Sequence, residues 1–292
     1  MLTEEEILEV LNEWNYWERD FENFVERERY MEKIKRARNS GEIIVFTGIR
    51  RSGKSTLMKQ EMKKLSKNYK KKQFLYVNFE DSRFIGNLNT NLLQKIVDVY
   101  RKEINMDEEM FLFFDEIQEV EGWEKFVRTF YDLKKAKIYL TGSSSKMLST
   151  ELSTSIAGRF IEIKIFPLTF KEFLKFKNID FSSKTKILGQ KTKIKKFFDN
   201  FVRFVGFAKV VLSEKEVKKD ILMNYIDTIL MKDILGRYNL KNSDILKKVT
   251  HIISTNDTKL TNINALAKTL GIRYETCANY ISYLKETYFL YE

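Results

Sequence analysis

The feature that most constrains this chain is an apolar run, Ile43-Ile44-Val45-Phe46, that passes directly into Gly48-Ile49-Arg50-Arg51-Ser52-Gly53-Lys54-Ser55-Thr56. Only 11 of the 292 residues are glycine, so a pair placed just ahead of a lysine is a specific signal. The stretch satisfies the phosphate-loop pattern G-x-x-x-x-G-K-[ST]. Met58, Met62 and Leu65 then recur at helical spacing, so the loop opens a helix N-terminus. Free backbone N–H groups and the positive end of the helix dipole meet an anion there, and glycine lets the backbone approach phosphate oxygens closely. On this reading residues Gly48 to Thr56 cradle the phosphates of ATP. Lys54 reaches the β- and γ-phosphates and Ser55 holds Mg²⁺. The alternative is a plain strand–helix turn carrying an exposed lysine.

A strand feeding a phosphate loop implies parallel βαβ units, and the following sequence supplies them. Apolar runs of strand length at 42–47, 73–79, 110–114, 137–141 and 160–166 alternate with helical stretches. The expected fold is α/β: a three-layer core with a five-stranded parallel sheet over 41–167, ending at Pro167, the sole proline. Ahead of it, residues 4–38 read as a helical arm (1–40), with Leu11, Trp14, Trp17, Phe21 and Phe24 on one face. After it, 168–243 shows helical patterns without a strong strand, as expected of a lid. Residues 244–292 close the chain, and within them Leu266, Ala267 and Leu270, then Gly271-Ile272, then Cys277, Ile281 and Leu284 fit a helix-turn-helix.

Two further strand ends carry chemistry. In FLFFDEIQ (111–118) a buried strand terminates in Asp115-Glu116, at the end of the sheet where α/β proteins bind ligands. Asp115 would orient Mg²⁺ and Glu116 would polarise the attacking water. The strand KIYL ends in Thr141-Gly142-Ser143-Ser144-Ser145, and Ser143 there suits a contact with the γ-phosphate or its water, or a helix cap. Arg159, just ahead of the fifth strand, suits either a neighbouring subunit's γ-phosphate, implying a homo-oligomer, or a local salt bridge.

Composition narrows the function classes. One cysteine, Cys277, and one histidine, His251, exclude an internal disulfide and a zinc cluster. No stretch approaches 18 consecutive apolar residues, and the acidic start MLTEEEILEV lacks the form of a secretory signal, so a soluble cytoplasmic protein is expected. The net charge is +11, yet residues 1–40 hold 11 acids against 7 bases. The basic remainder, including nine lysines against two acids in 171–196, suits nucleic acid or an anionic surface, or is a solvated lysine-rich face. The second helix of the helix-turn-helix would present Arg273, Tyr274, Glu275, Asn279, Ser282 and Lys285, either to a duplex or to a protein. The absence of N-K-x-D and of L-S-G-G-Q disfavours a GTPase and a transporter ATPase.

GIRRSGKST, DEIQEVEGW, TGSSSKML, AGRF and FPLTFKEFL, in this order, together with Trp14, Trp17 and the later DILGRYNL, resemble the archaeal-type ATP-binding proteins of the AAA+ class of P-loop ATPases. The resemblance implies a core with an additional strand between the phosphate-loop strand and the acidic strand, then a helical lid and a winged helix. It assigns Lys54, Ser55, Asp115, Glu116 and Ser143 the roles above and makes Arg159 an arginine finger. The chain departs from the family at Val205-Gly206-Phe207-Ala208, where a Gly-Gly-aromatic-Pro motif is expected. Longer members carry a nuclease-like domain after the winged helix, and no such activity is expected of the sequence up to Glu292. The expected activity is Mg²⁺-dependent ATP hydrolysis coupled to DNA or protein remodelling. The rival is a DNA-binding regulator that holds ATP as a ligand.

Overall fold

Five strands build the sheet: β1 (Ile43–Thr47), β2 (Phe74–Asn78), β3 (Phe111–Asp115), β4 (Lys137–Gly142) and β5 (Phe160–Lys164). Their order is β2-β3-β4-β1-β5 and every pairing is parallel. The additional strand expected between the phosphate-loop strand and the acidic strand is therefore β4. The computed structural model describes residues 2–106, 109–143, 156–240, 242–255 and 262–291. Two units make up the chain: Met1–Thr47, Gly53–Gly142 and Lys146–Ile165 form the first, and Gly48–Ser52, Ser143–Ser145 and Phe166–Glu292 the second.

Alternation along the strands creates the three layers of the first unit. Val45, Leu75, Val77, Leu112, Phe114, Ile138 and Leu140 share one core with α1 (Glu4–Trp14), α4 (Thr90–Glu103) and α5 (Trp123–Asp132). Their neighbours Ile44, Phe46, Phe74, Tyr76, Phe111, Phe113 and Tyr139 form the other core, with α2 (Glu28–Ser40) and α3 (Lys54–Leu65). A sheet covered on both faces requires the near-continuous apolar strands seen in the sequence.

The arm differs from the single helical pattern expected over 4–38. α1 starts at a capping box between Thr3 and Glu6 and stops at Trp14; α2 starts only at Glu28. The cause is tertiary. β2 is an edge strand, and Asn15 treats it as a neighbouring strand would: its amide donates to the Tyr76 carbonyl at 2.9 Å and accepts from the Tyr76 N–H at 2.8 Å. The Trp17 indole N–H donates to the Phe74 carbonyl at 2.8 Å. The segment thus closes an edge that would otherwise expose unpaired backbone groups.

The second unit is helical among its described residues, which include no strand. α6 (Phe170–Phe176), α7 (Lys184–Gly189), α8 (Lys191–Phe204), α9 (Ala208–Leu212) and α10 (Lys218–Thr228) are followed by a π-helical segment, Ile229–Gly236. α11 (Ser243–Thr255), α12 (Ile263–Leu270) and α13 (Tyr274–Glu286) enclose a core of Leu246, Val249, Leu266, Cys277, Ile281 and Leu284. α12 and α13 are the helix-turn-helix, joined through Gly271 at φ +65°. Cys277, Tyr280, Ile281 and Leu284 face inward, leaving Arg273, Tyr274, Glu275, Asn279 and Ser282 exposed and Lys285 half-buried.

The departure at Val205-Gly206-Phe207-Ala208 has a backbone basis. A Cβ on Gly206 would lie 2.1 Å from the Leu168 carbonyl oxygen, whose own N–H donates to the Gly206 carbonyl at 2.6 Å. Glycine is obligatory there. Val205 sits at φ +56°, ψ 176°, where the expected motif has its first glycine and where a β-branched residue is strained.

Candidate active site

The site is assembled at the C-terminal ends of the strands. β1 leads into Gly48 at φ +135°, the loop turns through Arg51 at φ +68° and Gly53 at φ +101°, and α3 begins at Lys54. The register pairs Thr47 with Gly142, so Gly48 and Ser143 each follow directly on a paired residue. Asn78 of β2 likewise pairs with Asp115 of β3.

Asp115 is buried at the centre of a hydrogen-bond set. Its carboxylate accepts from the Tyr76 hydroxyl at 2.6 Å, from the Thr141 hydroxyl at 2.5 Å and from the Ser55 side chain. Burial pushes its pKa up and the neighbouring Glu116 pushes it further, against the opposing effect of these three donors. Burial, then the Asp115 charge, raises the Tyr76 phenol as well. Thr141 has a second role: its oxygen accepts the Glu116 N–H at 2.9 Å while its hydrogen goes to Asp115. One hydroxyl therefore ties the two acids to β4.

Glu116 stands at φ +54°, ψ 46°, an uncommon conformation that turns the chain sharply off β3. Its carboxylate lies 3.8 Å from the Lys54 ammonium and accepts from the Gln118 amide at 2.7 Å. Lys54 is itself nearly buried, with a side chain 3% exposed. The Ser143 hydroxyl is buried without a hydrogen-bond partner among the described residues. Ser144 and Ser145 lie outside them.

Lys54, Ser55, Asp115 and Glu116 are thus brought together, as expected. Arg159 is not. It precedes β5, whose first residue pairs with Ile43, so it lies at the opposite end of the sheet, about 16 Å away at roughly 3.3 Å per residue of strand. Its guanidinium meets Asp132 at 3.1 Å. Arg50, expected among the phosphate contacts, has its guanidinium in a two-pronged pair with Asp233: Nε to Oδ2 at 2.9 Å and Nη2 to Oδ1 at 2.8 Å.

Tyr76 and Thr141 were not among the expected site residues. Their signal was a hydroxyl-bearing residue inside or closing an otherwise apolar strand beside β3. Asp233 opens the DILGRYNL stretch noted in the sequence, but nothing local points to its pairing, since its partner lies 183 residues away.

Residues 40–174 match the AAA domain family, and residues 196–292 match a domain of unknown function (DUF8612). Over 255 residues the chain is 35% identical to an uncharacterized protein of Methanocaldococcus jannaschii, covering 85% of this chain and 56% of that protein. Over 274 residues it is 31% identical to an uncharacterized protein of Haemophilus influenzae, covering 92% and 66%. The chain therefore spans between about half and two thirds of the length of these curated relatives. AMPPCP-bound DnaA from Aquifex aeolicus aligns over 93% of this chain and 92% of that one, at 18% identity and a TM-score of 0.38. The stretch that matches the AAA domain family, residues 40–174, is thus the one that carries the phosphate-loop pattern at the C-terminal end of an all-parallel sheet. No described helix is long and apolar enough to cross a membrane.

Proposed function

We propose that the protein binds ATP with Mg²⁺ at residues Gly48 to Thr56 and hydrolyses it. The observation that carries this reading is the joining of Lys54, Glu116, Asp115 and Ser55 at one end of the sheet, with Lys54 and Glu116 3.8 Å apart and Ser55 bonded to Asp115. Oxygen donors of this kind suit Mg²⁺, which takes one or two carboxylates together with substrate phosphates. The ion, when bound by Ser55 and Asp115, supplies positive charge against the β- and γ-phosphates. Lys54 adds an ammonium to the same charge, and its approach to phosphate releases Glu116 to orient water. Ser143, with a buried hydroxyl that has no other described partner, completes the γ-phosphate end.

Arg159 in this account acts on a neighbouring copy, because its own chain keeps it at the far end of the sheet. The lid (168–243) and the terminal module (244–292) convert nucleotide state into work on a partner, in the cytoplasm. A second reading, a DNA-binding regulator with little turnover, is favoured by the exposed face of α13 and the exposed lysines of 171–196. ATP affinity and turnover, measured with and without duplex DNA, separate the two. Lys54→Ala is expected to weaken ATP binding on the order of 100-fold, as loss of a buried charge partner does. Unchanged affinity would refute the cradle.

A further inference from the structure

Three consecutive loop residues are held by the helical part of the second unit. Ile49 packs in a cluster with Ile229, Tyr288, Phe207 and Phe289. Arg50 makes its two-pronged pair with Asp233, both side chains being buried, at 10% and 3% exposure. Arg51, in its left-handed conformation, sets its guanidinium 5.7 Å from the centroid of the Tyr225 ring, which lies nearly perpendicular to the Phe207 ring with their centroids 5.4 Å apart. The residues that vary in the phosphate-loop pattern thus face α10, the π-helical segment and the turn that ends α13.

Asp233 is the fixed point of this arrangement. It sits in Ile229–Gly236 among the buried Ile229, Leu230 and Ile234. π-helical turns are uncommon and recur at functional sites. A planar guanidinium bonded through two nitrogens to one carboxylate sets direction as well as distance. Four residues separate Arg50 from Lys54, so an error in the placement of Arg50 displaces the N–H groups that must converge on phosphate.

We propose that Asp233 is a positioning residue for nucleotide binding: through Arg50 it fixes the phosphate loop in its receptive shape and couples occupancy of that loop to the 229–236 segment. The proposal rests on the reading that the loop binds ATP. It assigns residues 49–51 to coupling and residues 53–56 to ligand contact. Linkage makes the coupling reciprocal: whatever the segment contributes to ATP affinity, bound ATP returns to the segment as stability.

The test uses the full chain and ATP itself. Asp233→Asn, which keeps shape and removes the charge, is expected to weaken ATP binding at least tenfold, and Arg50→Ala by a similar factor. The double variant should be no weaker than either single one, because the two residues act as a pair. Amide hydrogen exchange over 229–236 should slow when ATP saturates the parent protein and stay unchanged in Arg50→Ala saturated with ATP. This second readout holds even if Asp233→Asn folds poorly. Binding by a folded Asp233→Asn within twofold of the parent, or exchange over 229–236 indifferent to ATP in the parent, overturns the proposal. A parent that binds no ATP overturns the functional reading itself, and the proposal with it.

Discussion

The two units of this molecule differ in where they keep most of their charge, although the second also buries the Arg50–Asp233 pair and the first also exposes Ile85, Met106 and Leu133. The first unit buries ionisable groups inside a sheet core: Lys54, Glu61, Asp115 and Glu116 are all buried beneath or beside strands that solvent hardly touches. The second unit leaves lysines of α7 and α8 in water and exposes Leu188, Phe198, Val202 and Leu212, each about half exposed or more. Buried charge is expensive unless paired, so it persists where it does chemistry or awaits a ligand. Exposed apolar groups beside lysines suit contact with partners. On the function proposed above, Lys54 and the buried acids of the first unit do the chemistry and the exposed face of the second meets a partner.

The largest test of that division concerns Arg159, a partly exposed residue of the first unit placed away from its own site. If it acts on the next copy, Arg159→Ala should lose turnover on the order of 10³-fold while ATP binding is kept. Mixing Arg159→Ala with Glu116→Gln should then restore part of the activity, since one mixed interface joins an intact Glu116 to an intact Arg159. Inactive mixtures that demonstrably co-assemble would leave Arg159 as the local partner of Asp132.

A smaller effect probes the buried charges away from the site. Glu61 of α3 is fully buried, bonded to Arg38 at 2.7 Å, with Tyr139 and Lys64 also near it. Burial outweighs the Arg38 attraction and pushes its pKa up to about 7 from an ordinary 4.5. Because the folded value is the higher one, its stabilising effect is complete below pH 4.5 and is lost as pH rises to 7. The loss is on the order of 3 kcal/mol, at 1.36 kcal/mol per pKa unit. Denaturant unfolding at several pH values should show this decline in the parent and a flatter profile in Glu61→Gln. An identical slope in both would place the pH dependence elsewhere.

The smallest effect belongs to the second unit. Val205 holds a conformation that costs a non-glycine residue about 1–3 kcal/mol, and glycine returns about 0.5–1 kcal/mol of that as chain entropy. Val205→Gly is therefore expected to stabilise the protein by about 1 kcal/mol, read as a higher melting temperature. A lower melting temperature would mean that the half-exposed Val205 side chain contributes packing that outweighs its strain.

Much of the first unit was legible because sheet strands covered on both faces must be apolar, and five such runs stand out against a polar background. The loop and the acidic strand end were legible for the same reason: each continues a run. The arm was not, since the stop at Trp14 depends on Asn15 bonding to Tyr76, a residue 61 positions away. Arg50 showed the same limit. Inside a phosphate-loop pattern an arginine reads as a phosphate contact, and only the folded chain reveals that Asp233 has taken its guanidinium. Thr141 and Tyr76 were visible as residue types, but their function depends on register against Asp115.

The central claim is that Lys54 and Glu116 face one ATP with different tasks. The direct test is Glu116→Gln, with ATP affinity and single-turnover hydrolysis measured on the same preparation. The account predicts affinity close to that of the parent and hydrolysis slower by about 10²–10⁴-fold, as for loss of a general base. Hydrolysis at the parental rate, or loss of ATP binding together with hydrolysis, would contradict it.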